Sequence, residues 1–192
     1  MKITFFTLSL GLLVSSCTPI DRTIYPADDH LLTIADNYRK AAGEHVLQLV
    51  SEDEPGQRLL VLGRLVDEFD RELPNRVISF YHTDNQGEYG ESVPGQESSA
   101  RIQGSIATDG TGRFMLSTIL PAGYDGGGGH IHMSIDEATP SAYDFYFKQF
   151  AGTGLLRWAN NSSQAVVLNL HHGRADTLIA ISKLPVRGVS AD

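Results

Sequence analysis

Two short stretches of this chain hold side chains that could share one metal ion. The first runs Tyr124-Asp-Gly-Gly-Gly-Gly-His130-Ile131-His132. Residues two apart on an extended strand project to the same face, so His130 and His132 are predicted to point together. The glycines at 126–129 let the backbone turn sharply and bring the phenol of Tyr124 toward the two imidazoles. The second stretch is Asp84-Asn-Gln-Gly87-Glu-Tyr89, where a strand reaches a turn and ends on another tyrosine. Two phenols and two imidazoles make a mixed nitrogen and oxygen donor set. Phenolate is a hard anion suited to a hard, highly charged cation, and ferric iron is the natural candidate. A free tyrosine, with a pKa of about 10, is neutral at physiological pH. A bound cation inverts that preference and stabilises the phenolate.

These residues lie inside a longer pattern. Ile78-Ser-Phe-Tyr-His-Thr-Asp84-Asn-Gln-Gly87-Glu-Tyr89 is followed by Thr108-Asp109-Gly-Thr-Gly112-Arg-Phe114, by Thr118-Ile-Leu-Pro121-Ala-Gly-Tyr124, and by His130-Ile-His132. In this order they resemble the intradiol ring-cleavage dioxygenases, the group of protocatechuate 3,4-dioxygenase and catechol 1,2-dioxygenase. The resemblance covers about residues 58–150. It implies one ferric ion held by Tyr89, Tyr124, His130 and His132, with Tyr124 and His130 axial and Tyr89 and His132 equatorial. It further implies a catecholic substrate bound through both oxygens. Tyr124 would leave the metal as the catalytic tyrosine, a bound hydroxide would take a substrate proton, and dioxygen would cleave the ring to a muconate-type diacid.

One departure from the family pattern stands out. The family usually carries an arginine shortly before the His-X-His pair, where this chain has Gly126 to Gly129. That loop offers no guanidinium, and a glycine run is a poor device for a rigid site. Arg101 or Arg113 could bring the charge from elsewhere. Two rival readings follow. Gly63-Arg-Leu-Val66-Asp67 through Pro74-Asn-Arg-Val77 also resembles transthyretin-like surface β-sandwiches, which implies a catalytically inactive binding module. A hydrolytic zinc site could instead use His171 or His172 as a third imidazole. His82 is expected to face solvent.

The elements that must position these groups are legible as short apolar runs between turns. Candidate strands span 59–66, 76–82, 101–107, 113–117, 130–135, 142–149, 165–170 and 177–183, a spacing that predicts an all-β sandwich. Asp109-Gly-Thr-Gly112 carries the signature of a hairpin turn. Ahead of the strands, Leu31, Ile34, Ala35, Tyr38, Ala42, Val46 and Leu49 recur at helical spacing. Asp28 or Asp29 could cap that helix. Gly43 interrupts it, and residues 45–50 could instead be a strand.

The chain opens with Met1-Lys2, an apolar run from Ile3 to Val14, and Ser15-Ser16-Cys17. A basic start, an apolar stretch and small residues before a cut site describe a secretory signal, too short for a good membrane span. Val14-Ser-Ser-Cys17 also resembles a bacterial lipobox, which implies lipidation at Cys17. As the sole cysteine, Cys17 cannot form an internal disulfide. The expected organisation is a signal at 1–16, a tether and helix at 17–50, and an intradiol-type β-sandwich at 51–192. The expected location is the cell envelope, lipid-anchored on the periplasmic or surface side. Thr18 after the cysteine gives no inner-membrane retention signal of the aspartate type, which favours the outer membrane without fixing it. A net charge of −8 gives no electrostatic reason to bind nucleic acid. The resemblance also allows an oligomer, since relatives are often multimeric.

Overall fold

The computed structural model describes residues 20–42, 45–123 and 128–189. The first half of the chain forms β1 (Tyr25–Pro26), α1 (Asp29–Ala42), β2 (Val46–Gln48), β3 (Arg58–Val66), β4 (Val77–His82), a 3-10 turn (Glu97–Ser99), and β5 (Ile102–Ala107). The second half forms β6 (Arg113–Ile119), β7 (His130–Ile135), β8 (Ala142–Phe147), α2 (Thr153–Ala159), β9 (Ala165–Leu168), β10 (His171–His172) and β11 (Leu178–Pro185). One sheet has the order β1-β10-β11-β3-β6-β2 and the other β5-β4-β7-β8-β9.

The two sheets face each other across one apolar core. Leu59, Val61 and Leu65 of β3, with Phe114 and Leu116 of β6, meet Phe80, Ile131, Met133, Phe145 and Phe147 of the opposite sheet. Gly63 is required here, because a Cβ at that position would run into the ring of Phe114. β3 is buried along almost its whole length because its outer face is covered as well. Leu31 and Ala35 of α1 pack on Leu60, Leu62, Met115 and Ile179. The Asp28 carboxylate starts that helix by accepting the N–H of Leu31 at 2.7 Å.

The predicted helix therefore ends at Ala42, and the strand alternative holds for the segment beyond it, where β2 pairs with β6. The turn after Asp109 is a correction. It links β5 and β6, which belong to different sheets, rather than closing a hairpin. The Asp109 carboxylate accepts the N–H groups of Thr111 and Arg113, each at 2.8 Å, which shapes the crossing. Among the described residues, no helix is long and apolar enough to cross a membrane. Cys17 and the predicted signal lie outside the described residues.

Candidate metal centre

Strands β4, β7 and β8 lie side by side, and their register lines up one row of side chains on the outer face. Tyr81 stands opposite His132, His132 opposite Asp144, and His130 opposite Tyr146. Their neighbours along the strands, Phe80, Ile131, Met133 and Phe145, point into the core. The alternation that builds the core thus builds a row of phenol, imidazole and carboxylate on the opposite face.

Tyr89 reaches this row from the turn after β4. The Asp84 carboxylate accepts the N–H groups of Gln86 at 2.8 Å and Glu88 at 3.0 Å, and Gly87 takes a φ of 89°. The N–H of Arg101 donates to the Tyr89 carbonyl at 2.8 Å. The same turn holds the segment that leads toward Tyr124. The Ala122 N–H donates to the Asp84 carbonyl at 3.0 Å, and the Thr83 hydroxyl donates to the Ala122 carbonyl at 2.7 Å. Tyr124 itself, assigned by the resemblance as ligand and catalytic group, lies outside the described residues. The last two glycines of the run serve close packing. A Cβ on Gly129 would run into the Pro121 carbonyl oxygen, and one on Gly128 would press on the backbone of Ala151. They let β7 enter the sheet against this loop, so that end of the run is constrained rather than slack.

The hydrogen bonds fix how both imidazoles point. His132 Nδ1 lies 2.8 Å from Asp144 Oδ1, and His130 Nδ1 lies 3.1 Å from the Gly128 carbonyl. Carboxylate and carbonyl oxygens only accept, so each Nδ1 carries the hydrogen and each Nε2 presents a lone pair. Those two Nε2 atoms are 3.1 Å apart, and the Tyr89 hydroxyl lies 2.8 Å from Nε2 of His132. Burial, reinforced by the neighbouring His132, holds His130 below the ordinary imidazole range. Burial would raise Asp144, but the hydrogen bonds it accepts from His132 and Tyr146 hold its carboxyl below the usual range. An open cavity of about 570 Å³ reaches Tyr89 and is lined further by Pro94 and the carboxylates Glu88, Glu91 and Glu97.

A family model described as Dioxygenase matches residues 35–144, which spans Tyr89, Tyr124, His130, His132 and Asp144. The chain belongs to the intradiol dioxygenase family. The catechol 1,2-dioxygenase of Acinetobacter baylyi is 34% identical over 73 residues, 38% of this chain and 24% of that protein. That alignment therefore reaches about a quarter of the relative's length. Among solved structures, the 3-chlorocatechol 1,2-dioxygenase of Rhodococcus opacus superposes with a TM-score of 0.57 at 22% identity, covering 76% of this chain and 65% of that one. An intradiol ring-cleavage dioxygenase of Tetranychus urticae gives 0.56 at 19% identity, covering 76% and 87%. At these identities the superpositions establish the sandwich as the family's fold.

Other residues singled out in the sequence fall elsewhere in this dioxygenase fold. His82 does not face solvent. It is fully buried, its Nδ1 donates to the Thr83 carbonyl at 2.7 Å, and its Nε2 accepts the Thr118 hydroxyl at 2.7 Å. Arg101 forms a bidentate pair with Glu54 at 2.7 and 2.9 Å, and Arg113 lies over the ring of Tyr38. His171 and His172 form β10, which sits in the opposite sheet. Neither arginine nor either of these histidines belongs to the Tyr89, His130 and His132 cluster. The sequence reading missed Asp144, Tyr146, Tyr81 and Trp158. The Tyr81 ring stacks on His132 at 4.5 Å, and Tyr146 packs on His130 at 5.0 Å with Trp158 edge-on against it. Strand alternation places Asp144 and Tyr146 on one face, but which residues they meet depends on the β7–β8 register.

Proposed function

We propose that this chain is an intradiol dioxygenase that binds one ferric ion through Tyr89, Tyr124, His130 and His132 and cleaves a small catechol with dioxygen to a muconate-type diacid. The observation that carries it is the convergence of three donor atoms. The Nε2 atoms of His130 and His132 lie 3.1 Å apart, and with each ring's hydrogen on Nδ1 their lone pairs repel unless a cation or proton sits between them. Donors at about 2.1 Å from one ion and at right angles to each other are separated by about 3 Å, the spacing of Tyr89 from His132 and of His132 from His130. The residues present therefore fit the metal. Tyr124 is assigned as the second phenol from its place in the family pattern.

Ferric iron, when bound, would supply the Lewis acid that activates a chelated catechol toward dioxygen. The chain's own residues supply the rest. Tyr89 gives up its hydroxyl proton and brings a negative charge, while His130 and His132 remain neutral donors with their hydrogens held at Nδ1. Tyr81 stacks against His132 and limits rotation of that ring. The acidic wall of the cavity disfavours substrates with a carboxylate on the ring and favours uncharged catechols. Cys17, as a lipidated N-terminus after export, would hold the enzyme at the envelope.

The test is the visible spectrum of the iron-loaded protein before and after catechol under nitrogen. A tyrosinate-to-iron absorption band that shifts with catechol, and is lost or moved in Tyr89→Phe and Tyr124→Phe, is the expected result; admitting oxygen should then yield the ring-opened diacid. A protein that takes up no iron overturns this function and leaves a non-enzymatic sandwich. Mass spectrometry of membrane fractions from wild type and Cys17→Ser tests the anchor.

A further inference from the structure

Resting on the metal reading above, we propose that Asp144 is a positioning residue that orients His132 and makes it the stronger of the two imidazole donors. The two histidines are backed unequally. His130 Nδ1 donates to a neutral carbonyl, that of Gly128, at 3.1 Å. His132 Nδ1 donates to a carboxylate oxygen at the shorter distance of 2.8 Å. A charged acceptor strengthens the bond and pushes electron density through the ring toward Nε2.

Asp144 is itself held. Its second oxygen accepts the Tyr146 hydroxyl at 3.1 Å. The Tyr146 ring is wedged between His130, with centroids 5.0 Å apart, and Trp158, at 5.9 Å. The side chains of His132 and Asp144 are 17% and 25% exposed, so water competes only in part for their bond. One carboxylate, gripped at both oxygens, therefore fixes the hydrogen of His132 at Nδ1 and aims Nε2 at the meeting point with His130 and Tyr89. The register sets up this arrangement, since Asp144 is the direct cross-strand partner of His132. It also matters for charge. The Asp144 carboxylate adds a negative charge behind His132, which favours iron(III) over iron(II).

The roles of geometry and charge separate in two substitutions. Asp144→Asn keeps an acceptor oxygen for Nδ1 but removes the charge, whereas Asp144→Ala removes both. Imidazole nitrogen NMR on metal-free protein should show His132 as the Nδ1–H form in wild type and Asp144→Asn. Asp144→Ala should shift it toward the Nε2–H form. In iron-loaded protein, Asp144→Asn should move the tyrosinate-to-iron band to longer wavelength, raise the reduction potential and weaken iron binding roughly 10- to 100-fold. Wild-type band, potential and affinity in both variants would overturn the proposal, as would His132 found as Nε2–H in the wild-type apoprotein. A wild type that takes up no iron but holds His132 as Nδ1–H sinks the metal reading and leaves the orienting role of Asp144 standing.

Discussion

The two sheets share one core but differ on their outer faces. Behind the six-stranded sheet, Leu60, Leu62, Met115 and Ile179 are covered by α1. Behind the five-stranded sheet, the equivalent outward positions are Tyr81, His130, His132, Asp144 and Tyr146. Both faces come from the same alternation, and what separates them is the cover. A helix with an apolar stripe removes water from one, while a turn and loops leave the other half-open with donors aimed at a common point. The helix-covered face and the candidate metal centre thereby lie on opposite sides of one sandwich.

Substitutions on the two faces should therefore fail in different ways. His132→Ala should remove iron binding and activity, while costing less stability than a cut beneath α1. Iron content of the folded variant, with urea unfolding alongside, checks this. Leu62→Ala should do the reverse. Leu62 is fully buried, and its truncation should cost about 2–5 kcal/mol while the folded fraction still binds iron. If Leu62→Ala lost iron while remaining folded, the two faces would not be independent.

His82 sharpens the comparison, because it is where the sheets are tied together. It ends β4 of one sheet and accepts a hydrogen bond from Thr118 in β6 of the other. Desolvation, against the opposing hydrogen bond to Thr83, lowers its pKa from 6.5 to about 4. The folded chain thus holds it neutral at pH values where the unfolded chain takes up a proton. Its contribution is complete above pH 6.5, falls as pH drops, and levels off below about 4. The loss over that interval is about 3 kcal/mol. His82→Gln, which keeps one donor and one acceptor, should lack this component. The difference between the two urea-unfolding profiles across pH 7 to 4 measures it.

His82 also shows where sequence reasoning stopped. Ile78 and Phe80 already placed alternate residues of β4 inside, but the polarity of the imidazole argued for solvent. Burial is tolerated because Thr83 and Thr118 satisfy both nitrogens. The sandwich strands were legible from their apolar runs, with 130–135 matching β7, and the helix was legible up to its end. The seven-residue α2 is too short for periodicity to declare it, and the two-residue β1 and β10 exist only through their neighbours. Tyr89, His130 and His132 could be read from spacing because each sits at a strand or turn with its own signature. Asp144 could not. Its partnership with His132 depends on a register across residues 136–141 that composition leaves open.

The smallest effect expected lies at the mouth of the half-open face. Glu88 and Glu97 line the cavity beside Tyr89, and the Glu97 carboxylate is close enough to act on His130 through space. An approaching 3,4-dihydroxybenzoate would meet both charges, whereas catechol itself carries no ring charge to repel. Glu97→Gln should therefore raise kcat/KM for the carboxylated compound about two- to threefold and leave that for catechol nearly unchanged. The ratio for wild type should shift in the same direction on raising the salt concentration, because exposed charges are screened over about 10 Å at 0.1 M. Glu91 is a poorer choice for this test, since its carboxylate accepts the N–H of Gly95 at 2.8 Å and shapes the loop. Equal changes for both substrates would place Glu97 in the support of His130 rather than in selection, and would move that residue from the mouth of the site to its frame.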